Sequence, residues 1–175
     1  MSAFRVLVAD PPWRYSDPIG KRGASANYRT MSTEEICRFP LPPLHDDCVL
    51  FLWRVAVLQS AALDVVRMWG FTLKTEICWL KKTASGQRWF GLGRITRAEH
   101  EVCLVATRGR PQVLNHSIRS TFTTDCEGLS AQVGRHSQKP DIFYTIVESL
   151  FSGPRAELFA RKHRPGWECF GDELT

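Results

Sequence analysis

Asp10, Pro11, Pro12 and Trp13 are the residues of this sequence whose types and order point most directly to chemistry. The Asp10 carboxylate and the Pro11 carbonyl offer hydrogen-bond acceptors, and Trp13 offers a flat apolar face. Neither proline donates a backbone hydrogen bond and both fix φ, so the chain must pass this corner extended and stiff. Such a corner fits a planar ring with an exocyclic amino group, because the ring can stack on the indole while the amine donates to the two acceptors.

Two acceptors on one amine would expose the lone pair of its nitrogen and hold it in line with an electrophile. Stacking of a base on an aromatic ring contributes roughly 1–3 kcal/mol. The alternative is structural, namely a strand that ends in a proline-rich turn, with a tryptophan packed on the core. Because tetrapeptides recur by chance, these four residues alone leave catalysis and packing equally open.

The residues around this motif predict elements that would place it at the edge of a sheet. Residues 4–9 are nearly all apolar and too few for a helix, which predicts a strand buried on both faces, as in a parallel sheet. Open α/β sheets bind ligands at the carboxyl ends of their strands. Further strands are predicted at 48–53, 71–80, 101–107 and 156–160. Helices are predicted after Ser32, along the stripe from Leu58 to Trp69, and from Pro140 in a first helical turn, so the pattern indicates an α/β fold.

Length and composition are those of one ordinary domain, with 175 residues, 43% of them hydrophobic and 23% charged. No apolar run is long enough to span a membrane and no secretory signal pattern opens the chain, so we expect a protein of the cytoplasm or of a bacterial nucleoid. The six cysteines form no C-x-x-C pair, so we expect no zinc site and no other metal. The formal net charge of +5 favours a polyanionic partner.

Three irregular stretches are candidates for substrate recognition: residues 14–31, 83–100 and 112–138. The first is rich in glycine, serine and cations, which predicts a mobile loop over the site, although a solvated surface loop is the commoner case. The second interleaves Arg88, Arg94 and Arg97 with Trp89 and Phe90. Basic and aromatic side chains together suit a splayed nucleic acid strand. The third could contact nucleic acid or simply pack on the surface.

Several stretches, in this order along nearly the whole chain, resemble the adenine-N6 methyltransferases. That family includes the messenger-RNA adenosine methylation enzymes and their bacterial and phage DNA relatives. The stretches that carry the resemblance are DPPW at 10–13, NYRTMS at 27–32, CWLK at 78–81, EVCLVAT at 101–107, HSQKPD at 136–141, ELFAR at 157–161 and GWE at 166–168.

The resemblance implies one Rossmann-like, S-adenosylmethionine-dependent methyltransferase domain over residues 1–175. Its sheet would be mostly parallel with helices on both faces, and its motif order permuted, with the catalytic motif first and the cofactor strand last. The residues implied as catalytic are Asp10, Pro11, Pro12 and Trp13. Those implied for the cofactor are Ala9, Asp10, Ser137, Lys139, Phe159, Arg161, His163, Asp172 and Glu173. The family more often has asparagine at the position of Asp172.

Substrate contacts follow partly from the resemblance and partly from the basic and aromatic pattern. The residues expected to make them are Tyr28, Arg29, Trp79, Lys81, Arg88, Arg94 and Arg97. For Trp79 and Lys81 the structural alternative is a core tryptophan and a solvated lysine. The implied reaction is methyl transfer to N6 of adenine in DNA, for which the base must leave the duplex stack or be supplied single-stranded. No metal is required, because the sulfonium is already a strong electrophile.

Three alternatives stay open at this point. The first is RNA as the substrate, which we consider less favoured because this chain looks like a bare catalytic core, whereas the eukaryotic RNA enzymes are usually larger and work with a partner. The second is a non-catalytic nucleic-acid-binding subunit. The third, a nucleotide-dependent oxidoreductase, lacks its glycine fingerprint. Whether the protein forms a homodimer or a heterodimer is left undetermined.

Overall fold

The computed structural model describes residues 3–14, 29–83, 85–91, 93, 95–124, 139–172 and 174. Its strands are β1 (Phe4–Ala9), β2 (Leu44–Arg54), β3 (Thr72–Lys81), β4 (His100–Arg108), β5 (Thr121–Thr124), β6 (Arg155–Leu158) and β7 (Glu168–Phe170). Its α-helices are α1 (Thr33–Cys37), α2 (Gln59–Met68) and α3 (Asp141–Leu150), and one 3₁₀ turn at Ala56–Leu58 leads into α2. None of these helices is long and apolar enough to cross a membrane.

The seven strands form one sheet in the order β5-β3-β4-β2-β1-β6-β7. β1 pairs in parallel with β2 on one side and with β6 on the other, and β7 continues in parallel with β6. Only β4 is reversed, since it pairs antiparallel with β2 and with β3. The prediction of a mostly parallel sheet is therefore confirmed. The reversal also brings the start of β4 to the edge where the other strands end.

The apolar residues of β1 alternate between two hydrophobic layers, which confirms a strand buried on both faces. Leu7 and Ala9 pack in the layer that contains α1 and α2. Val6 and Val8 pack in the layer that contains Phe143 of α3. Helices therefore cover both faces, as predicted, and the β1 end that leads into the motif is held from two sides.

Local signals explain the helix starts. Ser32 caps α1 in a capping box, in which its hydroxyl accepts from Glu35 N at 3.2 Å and the Glu35 carboxylate accepts from Ser32 N at 2.6 Å. Gly70, with φ of 79°, follows α2 in the left-handed conformation that glycine adopts readily. Pro140 is the N-cap of α3, one position before the first helical turn in which the sequence places it.

Two short edge strands were not predicted. β5 lies within the stretch 112–138, which the sequence indicates to be loop-rich, and β7 follows Trp167. With four and three residues respectively, neither is long enough to show a clear alternation of apolar and polar residues. β5 pairs with β3, which is distant in the sequence, and β7 pairs with β6 across the intervening turn. Both pairings are tertiary contacts, which the local sequence does not reveal.

Candidate active site

The motif lies directly after β1, at the carboxyl edge of the sheet, and hydrogen bonds make its corner rigid. Trp13 N donates to Pro11 O at 2.8 Å, and Met31 N donates to Pro12 O at 2.8 Å. Arg14 N in turn donates to Met31 O at 2.8 Å, so the chain after the motif runs alongside the residues before α1. The stiffness predicted from the two prolines is reinforced by this pairing.

Trp13 is a core residue in this structure. Its side chain is 4% exposed, and its Nε1 donates to Trp53 O, in β2, at 3.0 Å. These contacts match the structural alternative, in which the indole anchors the corner to the core. Stacking of a base on this ring stays a prediction, and it would require the ring to become accessible.

Four charged side chains of alternating sign run along the carboxyl edge of the sheet. Lys139 Nζ, only 4% exposed, lies 2.9 Å from Asp10 Oδ2 and 3.2 Å from Glu101 Oε2. The other oxygen of Glu101 accepts from Lys81 Nζ. Lys139 Nζ also lies 5.0 Å from the centroid of the Trp53 ring. The structure thus links the ends of β1 and β3, the start of β4 and the start of α3 through ion pairs.

Burial and neighbouring charges compete to set the protonation of these groups. Burial raises the pKa of Asp10 above its ordinary value, and the Lys139 ammonium only partly opposes this. Burial alone would raise the pKa of Glu101, but Lys139 and Lys81 outweigh it and lower the value to about 2. Burial alone would lower the pKa of Lys139, but Asp10 and Glu101 together raise it. Glu101 and Lys139 are therefore firmly charged at neutral pH.

A cavity of about 280 Å³ opens beside the motif and joins the two ends of the chain. It brings together six residues of the predicted site: Asp10, Pro12, Arg29, Phe159, Arg161 and Asp172. It is also lined by residues that the sequence reasoning missed: Met31, Glu35, Phe39, Ala160 and Gly171. The sequence held a signal for three of them: Met31 lies in the NYRTMS stretch, Glu35 in the helix start after Ser32, and Ala160 in the ELFAR stretch.

The far wall of this cavity is the turn that follows β6. Phe159 has a φ of 60°, in the left-handed region that non-glycine residues rarely adopt, and its ring centroid lies 4.5 Å from that of Phe39. Ala160 N donates to Phe170 O at 3.0 Å, which ties the turn to β7. A Cβ on Gly171 would lie 2.1 Å from Ala160 O, so this close approach requires glycine.

Several predicted cofactor residues lie elsewhere. Ala9 is fully buried in β1. Lys139 borders a second, much smaller cavity beside Asp10 rather than the larger one. His163 is exposed on the turn after β6 and lines neither cavity. Ser137 and Glu173 lie outside the described residues.

Several of the predicted substrate residues also lie away from the larger cavity. Trp79 is fully buried and its Nε1 donates to Thr124 Oγ1 at 2.8 Å, which again matches the structural alternative. Arg88 is 83% exposed and pairs with Glu99 at 2.7 Å. The Arg97 guanidinium lies 4.9 Å from the centroid of the Phe90 ring. Tyr28 and Arg94 lie outside the described residues. No cluster of metal-ligating side chains occurs in the part of the chain that the structure describes.

Known proteins resemble this chain over nearly its whole length. Residues 4–173 match the profile of the MT-A70 family. The N(6)-adenosine-methyltransferase MT-A70-like protein of Drosophila melanogaster is 32% identical over 99% of this chain and 27% of its own length. The N(6)-adenosine-methyltransferase catalytic subunit METTL3 of Homo sapiens is 32% identical over 99% of this chain and 29% of its own length.

A shorter relative matches over most of its own length as well. The Type II methyltransferase M.MunI of Mycoplasma sp is 27% identical over 98% of this chain and 78% of that protein. This chain therefore spans less than a third of the length of the fly and human relatives, but more than three quarters of the Mycoplasma protein.

Proposed function

Because this chain belongs to the MT-A70 family, we propose that it is an S-adenosylmethionine-dependent methyltransferase that modifies N6 of adenine in nucleic acid. One observation carries the proposal. Asp10, directly after the carboxyl end of the interior strand β1, lines the same cavity as Phe159, Arg161 and Asp172 from the other end of the chain. Two chain ends that meet at the carboxyl edge of an α/β sheet form the usual position of a ligand site in such folds.

The larger cavity fits the chemistry of a nucleoside that carries a charged amino-acid tail. Its volume of about 280 Å³ lies near the lower end of ligand-binding pockets. Phe39 and Phe159 offer apolar contacts, Asp172 can accept from ribose hydroxyls, and Arg161 offers donors to an anion. When bound, S-adenosylmethionine would supply an electrophilic methyl group. Asp172 stands where the family more often has asparagine. It can accept the same hydrogen bonds from ribose hydroxyls, since both side chains provide an acceptor oxygen.

The amino group of the base would be held by two acceptors at the motif. Pro11 O already accepts from Trp13 N, and a carbonyl oxygen has a second lone pair that remains for the base. Lys139 orients the Asp10 carboxylate by its ion pair at 2.9 Å. Asp10 therefore acts as an acceptor that positions the amine and exposes its lone pair, and the nitrogen loses its proton after the methyl group has moved. Trp13 and Pro12 keep the corner rigid.

DNA is the substrate that we propose, in keeping with the bacterial DNA-methylating members that the sequence resembles. The chain matches the Mycoplasma Type II methyltransferase over 78% of that protein, so the two are similar in extent. RNA is the second candidate, because the fly and human relatives are named N(6)-adenosine-methyltransferases. A cytoplasmic location and action as one domain over residues 1–175 belong to the same proposal.

A labelling experiment tests the proposal directly. The protein is incubated with S-adenosylmethionine that carries a labelled methyl group and with DNA and RNA oligomers of matched sequence, and the nucleosides are then separated. We expect label in N6-methyldeoxyadenosine. Label in N6-methyladenosine alone would identify RNA as the substrate. No label with either polymer, despite measurable cofactor binding, would favour a non-catalytic subunit.

The motif itself is tested by Asp10→Ala, with Asp64→Ala as the matched control. Asp64 is an exposed aspartate of α2 that pairs with Arg67. We expect Asp10→Ala to abolish labelling while S-adenosylmethionine still binds, and Asp64→Ala to label at the wild-type rate. Labelling by Asp10→Ala at the wild-type rate would overturn the proposed mechanism.

A further inference from the structure

The turn after β6 is held against α3 by a cluster that the mechanism above does not use. The Arg164 guanidinium carbon lies 3.3 Å from the centroid of the Tyr144 ring, and Arg164 Nη1 donates to Asp141 Oδ1 at 3.0 Å. Lys162 Nζ donates to the same oxygen at 2.9 Å. Two cations of the turn are thus fixed on the first turns of one helix.

A buried carboxylate joins this cluster to the strand. Glu157, in β6, is buried, and its Oε1 accepts from the Tyr144 hydroxyl. Its Oε2 lies 3.8 Å from Arg164 Nε. Burial raises the pKa of Glu157, while the Tyr144 hydroxyl and the Arg164 charge oppose that shift. Glu157 and Tyr144 therefore connect the end of β6, the turn and α3.

The turn needs such support because its backbone is strained. A non-glycine residue in the left-handed region is unfavourable and persists only where its surroundings hold it. Phe159 is in that region, with φ of 60°. Phe159, Ala160 and Arg161 nevertheless line the larger cavity. Relaxation of the turn would move the wall that the cofactor must contact.

We propose that Tyr144, Glu157 and Arg164 are positioning residues, which hold the Phe159–Arg161 turn in the shape that binds the cofactor. The inference rests on the proposed function, since it assigns S-adenosylmethionine to the larger cavity. It places the effect of these residues on cofactor affinity, because they line the second, smaller cavity together with Phe159 and Arg161 and are not among the groups that hold the amine.

The members of the cluster should not contribute equally. The Asp141 side chain is 70% exposed, so its two ion pairs are screened by water and contribute little. The Arg164 side chain is only 12% exposed, so its contact with the Tyr144 ring is largely desolvated and correspondingly stronger. Lysine cannot replace arginine here, because an ammonium lacks the planar guanidinium face that lies on the Tyr144 ring.

Calorimetric titration with S-adenosylmethionine, combined with steady-state kinetics, tests this inference. We expect Arg164→Lys to raise Kd about tenfold, equivalent to about 1.4 kcal/mol, while kcat at saturating cofactor stays within about twofold of wild type. Tyr144→Phe keeps the ring beneath Arg164 and removes only the hydroxyl, so we expect a rise in Kd of about threefold. Asp141→Asn should change Kd by less than about twofold.

Glu148→Gln is the matched control. Glu148 also lies on α3 and also binds a residue after the turn, since it accepts from Trp167 Nε1 at 2.7 Å. It does not contact Arg164, so we expect its Kd to equal that of the wild type. A rise in Kd as large as that of Arg164→Lys would show a general effect of loosening α3 and would overturn the inference.

The outcomes separate this inference from the proposed function. If the wild type does not bind S-adenosylmethionine, the proposed function fails, and this inference fails with it. If the wild type binds but Arg164→Lys and Tyr144→Phe bind equally well, only the positioning role is overturned. A fall in kcat with unchanged Kd would also overturn it. Should Arg164→Lys not fold, as judged by its thermal transition, Tyr144→Phe decides by the same Kd criterion.

Discussion

Two groups of charged residues at the carboxyl edge of the sheet look alike in the sequence but differ in their surroundings. Behind the motif, Lys139 is 4% exposed and lies between two carboxylates. Between β3 and β4, Arg88 and Glu99 form a pair at 2.7 Å, yet Arg88 remains in water. Arg97, nearby, is over an exposed Phe90 ring. The sequence predicts ligand contact for members of both groups.

The difference shows that burial, rather than charge type or distance, decides what such residues do. In the buried group the Lys139 charge depends on its two carboxylates, because its burial keeps water from replacing them. In the exposed group water and salt compete for every pair, so the pairs contribute little stability and can be exchanged for other partners. The buried group is suited to orienting Asp10, and the exposed group to contacting phosphates.

The largest expected effect is on the stability of the buried group. Lys139→Ala leaves the Asp10 and Glu101 carboxylates close together without their shared cation. Loss of one partner of a buried ion pair typically costs about 3–5 kcal/mol. We expect the free energy of unfolding, from urea denaturation, to fall by about 3 kcal/mol, whereas Arg88→Ala should lower it by less than about 0.5 kcal/mol. Equal losses of unfolding free energy in the two variants would contradict the claim that burial distinguishes the two groups.

The pH dependence of stability sharpens the same comparison. The pKa of Glu101 is lowered to about 2 from an ordinary 4.5. Its ionised form therefore stabilises the fold fully above about pH 4.5, and this contribution is lost as the pH falls towards 2. We expect wild type to exceed Glu101→Gln in unfolding free energy at pH 6, and the gap to shrink between pH 4.5 and 3. A gap that is constant over this range would show that Glu101 acts by packing alone.

We expect the smallest effect on stability in the exposed group. There the informative measurement is the salt dependence of oligonucleotide affinity. Replacement of both Arg88 and Arg97 by alanine should change the free energy of unfolding by less than about 1 kcal/mol. If these cations contact phosphates, the slope of log affinity for an oligonucleotide against log salt should become shallower by up to about 2. Fluorescence anisotropy over a range of about 50–200 mM salt measures this slope.

Arg67→Ala is the control for that experiment. Arg67 is as exposed as the loop arginines and also pairs with a carboxylate, Asp64, but it lies on α2. We expect its salt slope to equal that of the wild type. A slope that is unchanged in the double variant as well would remove Arg88 and Arg97 from the nucleic acid interface.

Features that depend on nearby residues were predicted well. The apolar run of β1 predicts a strand buried on both faces, and the signal at Ser32 predicts the start of α1, because in each case the interacting groups lie within one element. The motif's place at the carboxyl edge follows from its position directly after a parallel strand. The resemblance, carried by ordered stretches along the chain, identified the family.

Contacts between distant parts of the chain were less accessible. Nothing local marks Glu101 as the partner of Lys139, since one opens β4 and the other precedes α3. The missed cavity residues around α1, such as Met31 and Phe39, are unremarkable apolar side chains until β6 and β7 are placed opposite them. Trp13 and Trp79 look equally suitable for stacking or packing, and it is their burial and their indole hydrogen bonds that identify them as core residues here.

By itself, the order of residues determined a local feature of this protein: an acceptor-rich corner after a buried strand, with its stiffness set by two prolines. The tertiary structure decided which side chains surround that corner. It did so because burial and ion pairing depend on how strands from opposite chain ends meet, and the reversed strand β4 is what brings Glu101 to the same edge as Asp10.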